Sequence, residues 1–258
     1  MKRQDIVFED IKGIAKAIKR EAKKLEGKIV LISGGAGFIG SYLIATIGYL
    51  NETLLLRKCK VLSIDNYITG SPKGLIPIRP SRHIVHIRHN VIRPFKTTIP
   101  IDYIIHAAGI ASPVYYRQSP LETIDVTIHG VRHLLELARK KKVKSFLYFS
   151  SSEIYGDPHH RFIPTPETYR GNVSSIGDRS VYDESKRLGE TIAMAYYNLY
   201  KLLCCQIYLM SFCFCYYKTV FLRTRCERGL NVVYIKYTTY VYTSNVYYLN
   251  ISVMKDIF

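Results

Sequence analysis

Several features are scarce in this sequence. The six cysteines form no C-x-x-C pair, and residues 1–201 carry only one thiol, Cys59. Neither a zinc site nor a disulfide framework is therefore expected there, which suits a reducing compartment. The amino terminus has no apolar signal-peptide core, and the most apolar stretch, residues 202–217, is short for a bilayer span. These absences predict a cytoplasmic protein with no membrane segment and no metal.

Acidic residues are also few, at 20 against 37 lysines and arginines, which gives a net charge of +17. The basic residues are scattered: the longest run is residues 139–142, and the rest are pairs, such as residues 23–24, or single positions. A scattered positive surface supports nucleic-acid binding only weakly, and it attracts a phosphate-bearing small molecule equally well. We therefore expect no nucleic-acid partner.

Apolar strands alternate with helices from residue 28 to residue 200. The expected strands are residues 28–33, 59–65, 83–88, 102–107 and 144–150, and the expected helices follow the glycine cluster to about Leu50 and cover residues 120–142 and 182–200. An amphipathic helix over residues 10–26, with Asp10 as its N-cap, precedes them. This alternation predicts an α/β fold, in which helices cover both faces of a doubly wound parallel sheet.

Three glycines, Gly34, Gly37 and Gly40, form a G-x-x-G-x-x-G pattern between the first strand and its helix. Glycine permits the tight turn, lets a diphosphate approach the backbone and lets helix and strand pack closely. Asp65 ends the second strand, where a carboxylate accepts hydrogen bonds from ribose hydroxyls and repels a 2′-phosphate. Glycines alone also fit a simple tight turn. The strand–turn–helix context favours a dinucleotide site that prefers NAD to NADP.

Tyr182 and Lys186 are four residues apart and share one face of a helix. An ammonium group lowers the pKa of a neighbouring phenol, so that a tyrosinate can accept a proton near neutral pH. Tyr197 and Lys201 have the same spacing, which we interpret as chance. Tyr182 differs because it follows a strand that ends in SSSE (residues 150–153), and α/β sheets build their sites at strand ends. A turn or N-cap is the alternative interpretation of these serines.

The motifs SGGAGFIG, DN (65–66), HAAG (106–109), SSSEIYGD (150–157) and YDESK (182–186) occur in the order of the extended short-chain dehydrogenase/reductase superfamily. Residues 28–201 resemble its UDP-glucuronate decarboxylase branch through NYITG (66–70), ETYRGNVSSIG (167–177) and RSVYDESKR (179–187). The resemblance implies a Rossmann fold, tightly held NAD, a nucleotide-sugar substrate with a transient 4-keto form, and a homodimer formed through the helix that carries Tyr182.

The resemblance also implies roles for single residues. Tyr182 would remove the proton of the sugar C4 hydroxyl, Lys186 would bind the nicotinamide ribose, Ser151 would hydrogen-bond the reacting oxygen, and Glu153 would serve later proton transfers. Tyr169 and Ser151 would contact the substrate. The implied cofactor-binding residues are Gly34, Gly37, Phe38, Ile39, Gly40, Asp65, Asn66, Asn90, His106, Ala107, Ala108 and Gly109, with Tyr182 and Lys186.

Position 152 helps to choose among the branches of the superfamily. Sugar 4,6-dehydratases place an Asp–Glu pair where this chain has Ser152 and Glu153, and UDP-galactose 4-epimerases have a small residue and threonine. The Ser–Glu pair is the decarboxylase pattern. An epimerase, a dehydratase or an inactive NAD-binding remnant are the alternatives. Asn90 in place of the usual aspartate and Arg170 in place of the usual tryptophan depart from the decarboxylase branch.

The composition changes near residue 202. Residues 202–258 contain one glycine, no proline, two acids and nine of the 22 tyrosines. The family continues after the YxxxK helix with a strand, an R-P-x-N-x-Y-G-P loop and a smaller substrate domain, and we expect none of these after Lys201. We therefore divide the chain into an amphipathic helix (1–27), an NAD-binding Rossmann domain (28–201) and an atypical tail (202–258). The tail would replace the substrate domain through a frameshift or a mis-joined gene end.

Overall fold

The fold is built around a parallel β-sheet. This computed structural model describes residues 3–72, 76, 80–166 and 168–209 and four later strand segments. The helices are α1 Arg3–Ala17, α2 Phe38–Thr53, α3 Pro113–Gln118, α4 Pro120–Asp125, α5 Arg132–Lys141 and α6 Ser180–Tyr200. The strands are β1 Ile29–Ser33, β2 Lys60–Asp65, β3 Ile84–Arg88, β4 Tyr103–His106, β5 Ser145–Phe149, β6 Cys204–Leu209, β7 Lys218–Thr219, β8 Thr224–Glu227, β9 Leu230–Ile235 and β10 Thr238–Thr239.

The order of the larger sheet is β3-β2-β1-β4-β5-β6-β9-β8, and all neighbours from β3 to β9 pair in parallel. The chain builds outward from β1 in one direction and then returns to add β4 on its other side. Ser33 at the end of β1 is in register with Ile64 and His106. The carboxyl ends of β1 and β4 therefore form the topological switch point, where open α/β sheets bind ligands.

The amino-terminal helix differs from its predicted bounds. It ends at Ala17, a short 3₁₀ helix covers Glu21–Leu25, and Asp10 lies inside α1 rather than at its N-cap. The Asp10 carboxylate accepts a hydrogen bond from the Tyr42 hydroxyl at 3.0 Å. The predicted apolar face is confirmed, because all of its members are buried against α2 and the sheet: Ile11, Ile14, Ala15, Ile18, Ala22 and Leu25.

The predicted helix over residues 120–142 is interrupted. A π-helical segment, Val126–Val131, separates α4 from α5, and α3 precedes them without having been predicted. In the π segment Gly130 packs against Val91. A methyl group on Gly130 would lie 3.0 Å from the valine side chain. The helical period of the sequence did not indicate this segment, because a π turn closes i→i+5 hydrogen bonds and so departs locally from the 3.6-residue repeat.

The sheet does not stop at Lys201. Strand β6 pairs with β5 in parallel, with Phe146 opposite Cys204, so the strand that follows the YxxxK helix in the family is present. The expectation that nothing of the family continues beyond Lys201 is wrong for this strand. Residues 210–217, 220–223, 228–229, 236–237 and 240–258 lie outside the described residues. Among the helices that the structure describes, none has both the length and the apolarity to cross a bilayer.

Candidate active site and cofactor cleft

The glycine turn brings β1 and α2 into direct contact. Gly34 has a φ of +73°, and a methyl group there would lie 2.6 Å from the backbone nitrogen of Ala108. A methyl group on Gly40, in the first turn of α2, would lie 2.1 Å from the carbonyl oxygen of Gly34. Both positions exclude any larger residue, because the obstructing atoms belong to the backbone. The backbone N–H groups at the amino end of α2 therefore face the space above the carboxyl end of the sheet, where a ligand can accept hydrogen bonds from them.

A cleft opens above this turn at the switch point. Ten of the predicted cofactor residues line it: Gly34, Gly37, Phe38, Ile39, Gly40, Asp65, Asn66, Ala107, Ala108 and Gly109. Further lining residues that the sequence analysis did not single out are Ala36, Ile64, Ile68, Thr69, Gly70, His89, Val91, Ile110, Ala111, Ser112, Tyr115 and Val126. The cleft therefore combines the free N–H groups of a helix start, one carboxylate and an apolar wall.

Asp65 joins the glycine turn to the loop after β2. Its Oδ2 accepts a hydrogen bond from the backbone N–H of Ala36 at 2.9 Å, and its Oδ1 accepts one from that of Tyr67 at 2.8 Å. Each carboxylate oxygen can accept a second hydrogen bond. Asp65 can therefore hold the turn in place and still accept two hydrogen bonds from a vicinal diol in the cleft.

Four of the predicted cofactor residues do not line the cleft: Tyr182 and Lys186, which are described below, and Asn90 and His106. The Asn90 Oδ1 accepts a hydrogen bond from the backbone N–H of Ile92 at 3.2 Å, whereas its neighbours His89 and Val91 face the cleft. His106 is buried beneath the cleft floor, with Nδ1 2.6 Å from the Ser33 hydroxyl. Burial lowers the pKa of His106 to about 3, and the positive charge of Lys186 acts in the same direction. His106 is therefore a neutral support of the floor.

Tyr182 and Lys186 lie on the face of α6 that packs on the sheet. The Lys186 ammonium donates a hydrogen bond to the carbonyl oxygen of Phe149 at 2.7 Å and lies 5.7 Å from the centre of the Tyr182 ring. Burial lowers the pKa of Lys186 to about 8. A methyl group on Gly109 would lie 3.4 Å from the lysine Nζ, so this glycine brings the cleft up to the ammonium.

The phenol of Tyr182 is protonated in this arrangement. Burial raises the pKa of Tyr182 to about 12, and the hydrogen bond with the Ser151 hydroxyl acts in the opposite direction. The expectation of a tyrosinate near neutral pH is therefore not met in the protein alone, because the cost of burying a negative phenolate is the dominant effect. Tyr116, which the sequence analysis did not consider, stacks on the ring with a centroid distance of 5.6 Å.

Ser151 and Glu153 follow β5 and face the start of α6. The Ser151 hydroxyl accepts a hydrogen bond from the backbone N–H of Glu153 at 3.3 Å and so caps a short 3₁₀ helix, Ser152–Tyr155. The Glu153 carboxylate forms an ion pair with Arg179, which the sequence analysis did not single out. The sequence indicates a role for Arg179 only through its position, one helical turn before Tyr182.

Two predicted or excluded positions lie elsewhere. Tyr169 packs on Phe162 and Tyr155, at centroid distances of 4.9 and 6.4 Å, and lines a separate polar depression beside Arg187. The structure thus does not bring Tyr169 into the cofactor cleft. Tyr197 lies near the opposite end of α6, about 22 Å along the helix from Tyr182. This separation supports the interpretation of the second Tyr–Lys pair as chance.

A glycine turn at the switch point, an acid at the end of β2 and a Tyr–Lys helix beside the cleft define a Rossmann-type protein of the short-chain dehydrogenase class. The sequence profile described as the NAD dependent epimerase/dehydratase family matches residues 30–221, and the chain belongs to this family. The predicted superfamily, the doubly wound parallel sheet and NAD as the cofactor of the family are thereby confirmed.

The chain is also similar in sequence to curated decarboxylases. The chain is 40% identical over 169 residues to UDP-glucuronic acid decarboxylase 1 of Arabidopsis thaliana, with 66% of this chain and 36% of the relative covered. It is 36% identical to UDP-glucuronic acid decarboxylase 1 of Xenopus tropicalis, with 66% and 37% covered. The chain thus spans less than half the length of these relatives.

Solved structures give the same fold. A UDP-galactose 4-epimerase superimposes with a TM-score of 0.57 at 25% identity, and 70% of this chain and 55% of that chain are covered. The UDP-glucose 4-epimerase of Thermotoga maritima, solved with UDP-glucose, superimposes with a TM-score of 0.56 at 25% identity, with 70% and 54% covered. These similarities establish the fold, and the reaction of the present chain has to be inferred from its own site residues.

Proposed function

We propose that this chain binds NAD and carries the redox and proton-transfer groups of a nucleotide-sugar enzyme of the UDP-glucuronate decarboxylase type. The observation that supports the proposal best is the position of Lys186 beside Gly109, which lines the cleft, with the Tyr182 ring 5.7 Å from the ammonium and the Ser151 hydroxyl hydrogen-bonded to the Tyr182 phenol. The cleft also fits the cofactor. The start of α2 offers N–H groups to a diphosphate, Asp65 keeps spare acceptors for a ribose, and Gly109 leaves room beside Lys186.

Bound NAD would supply a hydride acceptor for C4 of the sugar and later return the hydride. Tyr182 would take the proton of the C4 hydroxyl, while the Ser151 hydroxyl holds the same oxygen. The phenol becomes a stronger acid when positive charge is placed near it, as an oxidised nicotinamide provides. Lys186 would hold the nicotinamide ribose. It keeps its bond to the Phe149 carbonyl, because an ammonium has three donors.

Oxidation at C4 converts a uronic acid into a β-keto acid. The bond between C5 and the carboxylate then breaks, CO₂ leaves, and the electron pair remains on the sugar as an enolate that needs a proton. Glu153 would serve that proton transfer, since it lies two residues after Ser151 in the short 3₁₀ helix that follows β5. The Ser152–Glu153 pair supports this reaction over dehydration, in which an acid at position 152 would protonate a departing hydroxide.

An inactive NAD-binding protein is the second candidate, because residues 202–258 lack the composition of a substrate domain. NAD titration of the purified chain, together with assays for UDP-xylose from UDP-glucuronate in a version extended with the carboxyl-terminal domain of a decarboxylase, separates the two. Binding without turnover supports the second candidate. UDP-xylose formation supports the first, and a 4-epimer or a 4-keto-6-deoxy sugar would instead favour an epimerase or a dehydratase. A chain that binds no NAD contradicts both candidates.

We also propose that the end of this chain, which the sequence analysis places from about residue 202 onward, comes from a frameshift or a mis-joined gene end; since β6 continues the sheet, the junction would lie after Leu209. The abrupt loss of glycine, proline and acids supports this hypothesis. Translation of the encoding DNA in the other two frames would test it. The absence of an R-P-x-N-x-Y-G-P continuation from both frames would refute it.

Three further predictions concern partners and location. We propose a homodimer formed through α6, whose exposed apolar residues Leu188, Met194 and Leu199 would be covered; a mass measurement in solution would test it. We expect only weak, salt-dependent binding to a random DNA duplex. The cytoplasmic location remains a prediction that cell fractionation would test.

A further inference from the structure

We propose that Arg179 is a positioning residue that holds the Glu153 carboxylate beside Ser151 and Tyr182, and that Asp183 is a second carboxylate of the site that shares this arginine. The inference rests on the proposed function, which gives Glu153 and Tyr182 their roles in proton transfer. Arg179 and Asp183 do not line the cofactor cleft. Their effect would reach the reaction through Glu153 and Tyr182.

Arg179 connects two elements that meet at the site. It is the last residue before α6, and its guanidinium forms an ion pair with Glu153 on the 3₁₀ turn that follows β5. Its Nε lies 3.7 Å from Oδ2 of Asp183, in the first turn of α6. The Arg179 carbonyl oxygen accepts hydrogen bonds from the backbone N–H groups of Tyr182 and Asp183, both at 3.0 Å. One residue thus fixes the carboxylate and the phenol relative to each other.

Asp183 is an unusual neighbour for this ion pair. It is only 5% exposed, and its Oδ1 is buried without a hydrogen-bond partner among the described residues. A buried carboxylate is costly unless it is paired. Burial raises the pKa of Asp183 to about 6; Arg179 opposes this rise, and the nearby carboxylates of Glu153 and Glu184 add to it. Arg179 is therefore the cation that keeps Asp183 charged near neutral pH.

The charge of Arg179 also reaches the phenol. Burial is the main cause of the raised pKa of Tyr182, the negative charges of Glu153 and Asp183 raise it further, and the charge of Arg179 lowers it. A guanidinium suits this shared duty better than an ammonium, because its planar fork directs several donors to two carboxylates at once. When Asp183 is protonated, the Arg179 guanidinium forms an ion pair with Glu153 alone. When Asp183 is charged, Arg179 is divided between the two carboxylates.

The titration of Asp183 tests the sharing directly. We would label the full chain with aspartate enriched in carboxyl ¹³C, record the carboxyl resonances against pH, and assign Asp183 by its loss in Asp183→Asn. Arg179→Gln should raise the Asp183 midpoint by about one pH unit, because a neighbouring cation is lost. Arg179→Lys should restore part of this shift. Glu153→Gln should lower the midpoint, because a neighbouring negative charge is lost.

A matched control variant shows whether the shift is specific to the carboxylates around Arg179. Glu136→Gln changes a carboxylate on α5 that pairs with Arg139, and it should leave the Asp183 midpoint unchanged. An unchanged midpoint in Arg179→Gln would overturn the proposal. If that variant does not fold, Glu153→Gln decides, and an unchanged midpoint there is equally fatal. NAD titration of the wild-type chain is read separately, since loss of binding would refute the proposed function but not the shared ion pair.

Discussion

A single methyl group added at Gly40 would test how closely α2 must pack on the glycine turn. In Gly40→Ala the new methyl group would lie 2.1 Å from the carbonyl oxygen of Gly34 and 2.7 Å from the Cα of Gly35. These atoms belong to the backbone and cannot rotate away. Either the amino end of α2 moves away from the turn or the turn opens, and both changes displace the N–H groups that would bind a diphosphate.

The size of the effect follows from two opposing contributions. Overpacking of this kind typically costs about 1–3 kcal/mol, and a backbone obstacle favours the upper end. Alanine gains about 1 kcal/mol over glycine within a helix, which leaves a net loss of about 2 kcal/mol. Hydrogen bonds to a charged group contribute about 1.5–3 kcal/mol each. Losing one of them should weaken NAD binding at least about tenfold.

Gly48 provides a matched control in the same helix. A methyl group there would lie 3.4 Å from the flexible end of Ile84, which is an ordinary contact. Gly48→Ala should unfold at an equal or higher urea concentration than the wild type and bind NAD equally well. Urea unfolding and calorimetric titration with NAD measure both quantities. Equal NAD affinity in Gly40→Ala and Gly48→Ala would refute the assignment of the glycine turn to diphosphate binding.

Four further predictions follow from the site. Asp65 should make NAD bind more tightly than NADP, and Asp65→Ala should narrow the difference; equal affinities in the wild type would contradict this. In a version extended with the carboxyl-terminal domain of a decarboxylase, Tyr182→Phe should keep NAD affinity and abolish C4 oxidation, whereas Tyr197→Phe should change neither. Burial lowers the pKa of His106 to about 3, so as the pH falls this imidazole takes up a proton in the unfolded chain before it does in the folded one. The free energy of unfolding should therefore decrease as the pH falls below about 6.5. His106→Gln should lessen this decrease, and an equal decrease in the variant would count against a buried neutral imidazole. The unextended chain should form no UDP-xylose and be cut readily beyond Lys201; a protease-resistant tail with clear turnover would show that residues 202–258 form a working substrate domain.

Local sequence patterns were sufficient for most of the fold. The predicted strands agree with β1 to β5 within one or two residues, because short apolar runs bounded by turns leave little choice of register. The glycine turn was equally predictable, since its spacing reflects contacts between residues close in the chain. The bounds of α1 and the π segment were not predictable. They depend on packing against α2 and the sheet, which the helical period does not encode.

The candidate site was predictable only in part. The residues that follow β4, Ala107 to Gly109, line the cleft as expected, but His106 points into the core because side chains alternate along a strand. Arg179 and Glu153 are 26 residues apart, and no local pattern pairs them. Tyr116 reaches Tyr182 from α3, an element that the periodicity did not reveal.

The sequence by itself determined the order of strands and helices, the position of the glycine turn and the identity of the residues that can exchange protons. These properties follow from local sterics, from hydrophobic periodicity and from side-chain chemistry. Tertiary structure alone decided which of those residues meet and in which protonation state. The burial of Tyr182 keeps its phenol neutral, and Asp183 is titratable near pH 6 because it is buried beside both Arg179 and Glu153. Desolvation and charge–charge interactions depend on distances between atoms remote in the chain, and only folding sets those distances.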